Sequence, residues 1–303
     1  MQTTSHLLMI RPVNFSFNAE TAGSNAFQAA ATDNAQQQAL QEFEAFVALL
    51  RENGVDVTVI DDTHSPYTPD SIFPNNWISF HEEGTVCLYP MYAPNRRLER
   101  KPEVLEQLSR NFDIRATFDF SGYEERGLFL EGTGSMVLDR DEKIAYACLS
   151  PRTNRAVLVD FCEKMGYTPE IFTAVDGKGQ AIYHTNVMMC VADRYVVACT
   201  DAIPDPVEQK NFVCTISHSG KELVTISLAQ MNQFAGNMLQ VHNNKGERLL
   251  VMSSQAFASL DPEQVSRLAG FNRILHSPLT IIETNGGGSA RCMMAEIHLG
   301  PRA

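Results

Sequence analysis

Three residues in this chain carry side chains that together can do thiol chemistry: Cys292, His184 and Glu131. A thiolate attacks an electrophilic carbon, an imidazole moves protons, and a carboxylate orients or charges the ring. Each also has an ordinary reading from its own neighbours. Cys292 follows Asn285-Gly286-Gly287-Gly288-Ser289-Ala290-Arg291, where three glycines let the backbone approach a ligand and Arg291 would favour the thiolate if its guanidinium points inward. It could equally be a buried thiol after a tight turn. His184, in Tyr183-His184-Thr185-Asn186, could be a satisfied core histidine, and Glu131, after Leu128-Phe129-Leu130, an acid at a surface turn. Spacing decides between these readings.

The elements around them recur in the order helix, strand, loop, hairpin. In the first unit Leu40, Phe43, Phe46, Val47 and Leu50 have helical spacing, Asn53-Gly54 stops the helix, and Val55, Val57 and Val59 alternate as a strand. A hairpin over 77–89 follows, turning at Glu82-Glu83-Gly84. The second unit has a helix opening at Pro102-Glu103, a strand over 114–120 and a hairpin over 135–147; the third has a helix over 156–165, a strand over 170–175 and a hairpin over 187–198. The fourth helix, over 206–218, is the weakest of the set because the segment is rich in β-branched residues, but its hairpin over 238–252 is clear. In the fifth, Asp261-Pro262-Glu263 opens a helix whose Val265, Leu268, Phe271 and Leu275 face a core, and 279–283 reads as its strand. Half a hairpin is then left over, and the N-terminal strand 7–10 would complete it by pairing with 291–298.

The fold expected is therefore an α/β propeller of five units with pseudo-fivefold symmetry, one domain over 1–303, closed by its terminal strands. The residues just ahead of the hairpins are Asn76, Glu131, His184, Asn237 and Cys292, at intervals of 55, 53, 53 and 55 residues. Equivalent positions in such a ring meet on its axis. A carboxylate, an imidazole, a thiol and two amides are thereby expected around one central pocket, and Trp77 beside it is expected to be a packing anchor.

Composition removes other functions. With 303 residues, a formal charge of −12 and 44% apolar residues, disorder, collagen and coiled coil are excluded. The acidic balance argues against nucleic acid, since only Arg96-Arg97 with Arg100-Lys101 makes a basic cluster. No apolar run is long enough for a membrane span, and the start lacks a signal-peptide pattern, so a cytoplasmic protein is expected. Seven cysteines without CxxC spacing fit a reducing compartment. No HExxH, GxGxxG or GxxxxGK[ST] pattern is present, and no metal or other cofactor is expected. The outer helices could support a homo-oligomer, though no segment selects a face.

At these residues the sequence resembles the guanidino-group modifying enzymes of the pentein superfamily, over its whole length. Pro69-Asp70-Ser71-Ile72-Phe73, Ala93-Pro94-Asn95-Arg96-Arg97 and Leu149-Ser150-Pro151-Arg152-Thr153-Asn154 are similar to dimethylargininases. The opening from Arg11-Pro12 to Phe27-Gln28, and Glu131-Gly132-Thr133-Gly134-Ser135, look closer to the citrulline-utilisation hydrolase branch. The resemblance implies a five-bladed propeller with Cys292 as nucleophile, His184 as general acid/base and Glu131 as its partner. It also implies a small-molecule amino-acid substrate, with Asp70 on the α-ammonium and Arg96 and Arg152 on the carboxylate.

Two positions depart from the pattern. Deiminases and amidinotransferases usually carry aspartates where this chain has Asn76 and Asn186, and those acids grip a cationic guanidinium. Two amides suit a neutral ureido group instead, because each offers both a carbonyl and an NH2. Asn237 shares the ring position and is expected among the substrate-binding residues, and the N–H groups of Gly287, Gly288 and Ser289 could receive a developing oxyanion. The expected reaction is hydrolysis of citrulline to ornithine, ammonia and carbon dioxide through a covalent thioester. The alternatives are a deiminase, dihydrolase or amidinotransferase acting on arginine or a methylarginine and, more remotely, a non-catalytic binding protein of the same fold.

Overall fold

The same three-stranded sheet is built five times: two antiparallel strands, then a helix, then a third strand lying parallel to the second. The computed structural model describes residues 1–25, 27–29 and 34–302. In chain order, β1 (His6–Arg11), α1 (Ala35–Glu52) and β2 (Asp56–Asp61) come first. They are followed by β3 (Ile78–His81), β4 (Thr85–Leu88), α2 (Pro102–Leu108) and β5 (Ala116–Asp119). The third group is β6 (Val137–Asp139), β7 (Ile144–Cys148), α3 (Arg155–Met165) and β8 (Thr168–Phe172). The fourth is β9 (Met189–Val191), β10 (Tyr195–Ala198), α4 (Pro206–His218) and β11 (Glu222–Thr225). The last is β12 (Leu239–His242), β13 (Arg248–Ser253), α5 (Pro262–Ala269) and β14 (Arg273–Ser277), with β15 (Ala295–Glu296) closing the series.

β15 pairs antiparallel with β1, Leu7 opposite Glu296 and Leu8 opposite Ala295, while β1 runs parallel to β2. β1 is thus the middle strand of its sheet, as β4, β7, β10 and β13 are of theirs. The two terminal segments share one sheet, as the leftover half-hairpin required. First strands of neighbouring sheets touch, β15 with β3, β6 with β9 and β9 with β12, so these strands line the axis.

Local chemistry explains the elements. In α1, Ala39, Phe43, Phe46, Val47 and Leu50 are all buried, a stripe at spacings of three and four, and Gly54 at φ +79° ends it. α4 forms despite its β-branched residues. The Asp205 side chain accepts the N–H groups of Val207 and Glu208, and Pro206 takes a position whose N–H would have no partner. Trp77 is buried among Ile10, Phe80 and Ile297, as a packing anchor should be. Among the described residues no helix is long and apolar enough to cross a membrane.

One element differs from expectation. The fifth strand is β14, not 279–283, and α5 stops at Ala269, so Phe271 and Leu275 lie beyond it. After Gly270 the chain reverses and pairs parallel with β13, Leu249 opposite Arg273 through Ser253 opposite Ser277. The 279–283 segment instead leads into a single π-helical turn, Ile282–Gly286. Leu279 and Ile282 are buried in the core from that turn, so their apolar pattern imitated a strand.

Candidate active site

A short turn precedes the hairpins and delivers the ring residues to the axis. Asn76 ends the 3-10 turn Pro74–Asn76, Glu131 caps the turn Gly132–Ser135, His184 precedes Thr185–Val187, and Cys292 lies within Ala290–Met293. Asn237 stands just ahead of β12. The turns at 74–76, 132–135, 185–187 and 290–293 pack on one another around the centre. Two glycines make this possible. A Cβ at Gly132, whose φ is +48°, would lie 2.3 Å from the Asn75 carbonyl oxygen, and one at Gly134 would lie 2.4 Å from Asn76 Nδ2 and 2.8 Å from His184 Nδ1.

The centre holds a narrow pocket bordered by Asp70, Asn76, Arg96, Arg152, His184 and Cys292 with the 286–288 turn. Glu131, Asn186 and Asn237 are buried beside it, Glu131 against His184 and the two amides against Cys292. Tyr183 separates it from a wider cleft that Ser24, Phe27 and Phe234 also line. All the ring residues expected to converge are brought together, and Cys292 and His184 share the cavity with no hydrogen bond between them.

Glu131 organises the charge. Its Oε2 lies 2.7 Å from His184 Nε2, 3.5 Å from Arg152 Nη1 and 3.9 Å from Arg96 Nη1, and its Oε1 accepts the Tyr92 N–H at 2.9 Å. Burial favours the protonated acid, but Arg152, the His184 hydrogen bond and Arg96 outweigh it and hold Glu131 below the ordinary carboxylate range. An ionised carboxylate only accepts, so His184 carries its proton on Nε2 and leaves Nδ1 without a partner among the described residues. Burial pushes His184 down to about 4, with Arg152 and Arg96 adding to it against the pull of Glu131. At neutral pH the imidazole is therefore uncharged and able to take a proton.

Cys292 is buried, its Sγ 3.3 Å from Asn237 Nδ2 and 3.4 Å from Asn186 Nδ2. The Arg291 guanidinium does not reach it. It donates to the Met294 carbonyl and to Glu296 at 2.8 Å each, bracing the turn against β15. In the glycine run, the Gly287 N–H is already given to the Glu283 carbonyl at 3.0 Å, which removes it from the expected oxyanion donors. The Gly288 and Ser289 N–H groups make no hydrogen bond among the described residues.

The remaining expected residues also border the pocket. Asp70 is buried, and burial raises its pKa; Asn18 Nδ2 donates to its Oδ2 at 2.7 Å while Oδ1 has no partner among the described residues. Asn186 Oδ1 is unpartnered too. Arg96 is held by Glu99 at 2.9 and 3.0 Å and donates Nη1 to Asn76 Oδ1 at 2.9 Å. Arg152 donates to Ser24 Oγ and the Thr21 carbonyl and lies over the Tyr183 ring. Asn18, Ser24 and Glu99 were not anticipated. Of these only Glu99 had a sequence signal, its i+3 spacing from Arg96. Among the described residues no group of three or more His, Cys, Asp or Glu is placed to hold a metal ion.

The sequence model of the family described as N,N dimethylarginine dimethylhydrolase, eukaryotic, matches residues 11–299. No curated protein matches the chain by sequence. Among solved structures, the product-bound N-terminal domain of ArgZ, an arginine dihydrolase from cyanobacteria, has a TM-score of 0.77 at 17% identity, covering 96% of this chain and 97% of that one. An AgrE variant in complex with L-arginine gives 0.76 at 17% identity, over 96% of this chain and 40% of that one. A Cys-to-Ser variant of DDAH from Pseudomonas aeruginosa, complexed with citrulline, gives 0.65 at 15% identity, over 98% and 100%. At these identities the solved structures establish the shared fold.

Proposed function

Because this chain belongs to the N,N-dimethylarginine dimethylhydrolase family of pentein cysteine hydrolases, we propose that it hydrolyses the ureido group of a free amino acid, citrulline fitting best. The observation that carries this reading is the pair of amides where a guanidinium would need acids. Asn186 Oδ1 is an unpartnered acceptor, and Asn76 Oδ1 already receives Arg96. Glu131, the carboxylate behind His184, is engaged by His184, Arg152 and Arg96. With Asp70 given to the α-ammonium, a substrate guanidinium would thus be buried beside a second guanidinium with no further carboxylate bordering the pocket, a loss of roughly 3–5 kcal/mol. A ureido NH2 can donate to Asn186 Oδ1, and its carbonyl oxygen can accept from Gly288 and Ser289. Asp70 Oδ1 suits an α-ammonium, and Arg96 and Arg152 give the pocket positive charge for an α-carboxylate.

In the proposed reaction, neutral His184 takes the Cys292 thiol proton and the thiolate attacks the ureido carbon. Collapse of the tetrahedral adduct, with the proton returned to the leaving Nδ, releases ornithine and a carbamoyl thioester. Water, deprotonated by His184, cleaves the thioester to regenerate the thiol and carbamic acid, which yields ammonia and carbon dioxide. A reducing, cytoplasmic setting belongs to this proposal and is supported by seven free cysteines. A second reading, hydrolysis of a guanidino amino acid, is favoured by the family match and by the arginine that AgrE binds.

Parallel incubations with L-citrulline, L-arginine and Nω-methylated arginines separate the two, with ornithine, citrulline and ammonia quantified. Ornithine from citrulline alone is expected, and Asn76→Asp with Asn186→Asp should weaken citrulline use. Turnover of a guanidino substrate without turnover of citrulline would overturn the ureido reading, and full activity in Cys292→Ser would overturn the thiol centre.

A further inference from the structure

Asn237 occupies the fourth ring position but does not border the substrate pocket as a substrate-binding residue should, and its amide is hydrogen-bonded at both ends. Its Oδ1 accepts the Arg291 N–H at 3.0 Å, and its Nδ2 donates to the Asn186 carbonyl at 2.9 Å. The backbone N–H can only donate and the carbonyl can only accept, so the two ends of the amide are assigned without ambiguity. The second N–H on Nδ2 is left to point at Cys292 Sγ, 3.3 Å away. From the other side, Asn186 Nδ2 lies 3.4 Å from the same sulfur. The guanidinium next in sequence, that of Arg291, is turned away to Glu296.

We propose that Asn237, with Asn186 as second donor, forms an amide cradle that stabilises Cys292 as a thiolate through neutral N–H groups aimed at the sulfur. This rests on Cys292 being the nucleophile and goes beyond the choice of substrate. In the thiol form the S–H can turn to Asn237 Oδ1, 3.7 Å away; once the proton leaves for His184, both Nδ2 groups face the anion. The cradle also makes an amide at position 186 necessary for the sulfur as well as for the substrate. An aspartate there would set a negative charge against the thiolate.

The test reads the thiol itself, without substrate. The full chain is alkylated with iodoacetamide across a pH series, and modification of the Cys292 peptide is followed by mass spectrometry, which separates it from exposed Cys214. In Asn237→Asp the Arg291 N–H keeps an acceptor and the sulfur loses a donor. Half-maximal alkylation is expected about one pH unit or more higher than in the parent chain. Should that variant not fold, as judged by circular dichroism, Asn186→Ala decides. Its side chain bonds nothing among the described residues except Cys292, and an upward shift of about half a unit or more is expected. An unmoved midpoint in a folded variant overturns the cradle. Failure of Cys292 to react in the parent chain instead overturns its assignment as nucleophile, so the two failures are distinct.

Discussion

Replacing Glu131 by glutamine tests the charge arrangement most directly. The side chain keeps its size and can still accept from His184, but the negative charge is lost. In the proposed reaction that charge matters when His184 becomes an imidazolium. With Nε2 and Oε2 2.7 Å apart, the charge centres are about 4 Å apart, and at an effective dielectric of about 20 their attraction is about 4 kcal/mol. At 1.36 kcal/mol per decade this is about a thousandfold in kcat. KM should move little, because Glu131 does not border the pocket. The same change leaves Arg152 and Arg96 without the carboxylate at 3.5 and 3.9 Å, so a lower melting temperature should accompany the kinetic loss. Steady-state ornithine release from citrulline measures the first effect and a thermal melt the second. A folded Glu131→Gln variant retaining more than about a tenth of kcat would refute the reasoning.

Other outcomes follow from single contacts. Gly134→Ala should cost about a hundredfold or more in activity in a chain that still folds, because the new Cβ would stand 2.8 Å from His184 Nδ1, the atom proposed to move the proton; near-normal kcat would show that His184 can step aside. Acid sensitivity has a defined sign at His298, which burial holds down to about 4. Between about 6.5 and 4 the unfolded chain protonates this histidine while the folded one does not, so stability falls as pH falls through that window. His298→Gln should flatten the decline in melting temperature over the same range, and parallel curves for the two chains would contradict it.

Much of the centre was legible because it depends on period. Asn76, Glu131, His184, Asn237 and Cys292 could be placed on one axis from their even spacing, and each lies where a unit-ending turn puts it. What could not be read comes from segments outside the period. Asn18 and Ser24 reach Asp70 and Arg152 from the two ends of a single helical turn, Ala19–Ala22, that belongs to no repeat unit. Arg291 looked like a thiol activator because it adjoins Cys292, but its direction depends on Glu296, five residues on, and on the sheet that fixes Glu296. The strand misplaced to 279–283 had a warning in Gly270, which ends α5 early; the alternating apolar residues beyond it outweighed that signal although they serve a turn.

The pairing of β1 with β15 has a consequence for how the protein can fail. Within each unit the ladders join residues close in sequence, but Leu7 meets Glu296 across nearly the whole chain, and the reactive centre draws a residue from every unit. Local order can therefore survive in one blade after another has opened, while the centre cannot. Damage to any blade, however distant from the sulfur, is read out as lost chemistry, which makes catalysis a more sensitive gauge of ring integrity than helix or sheet content.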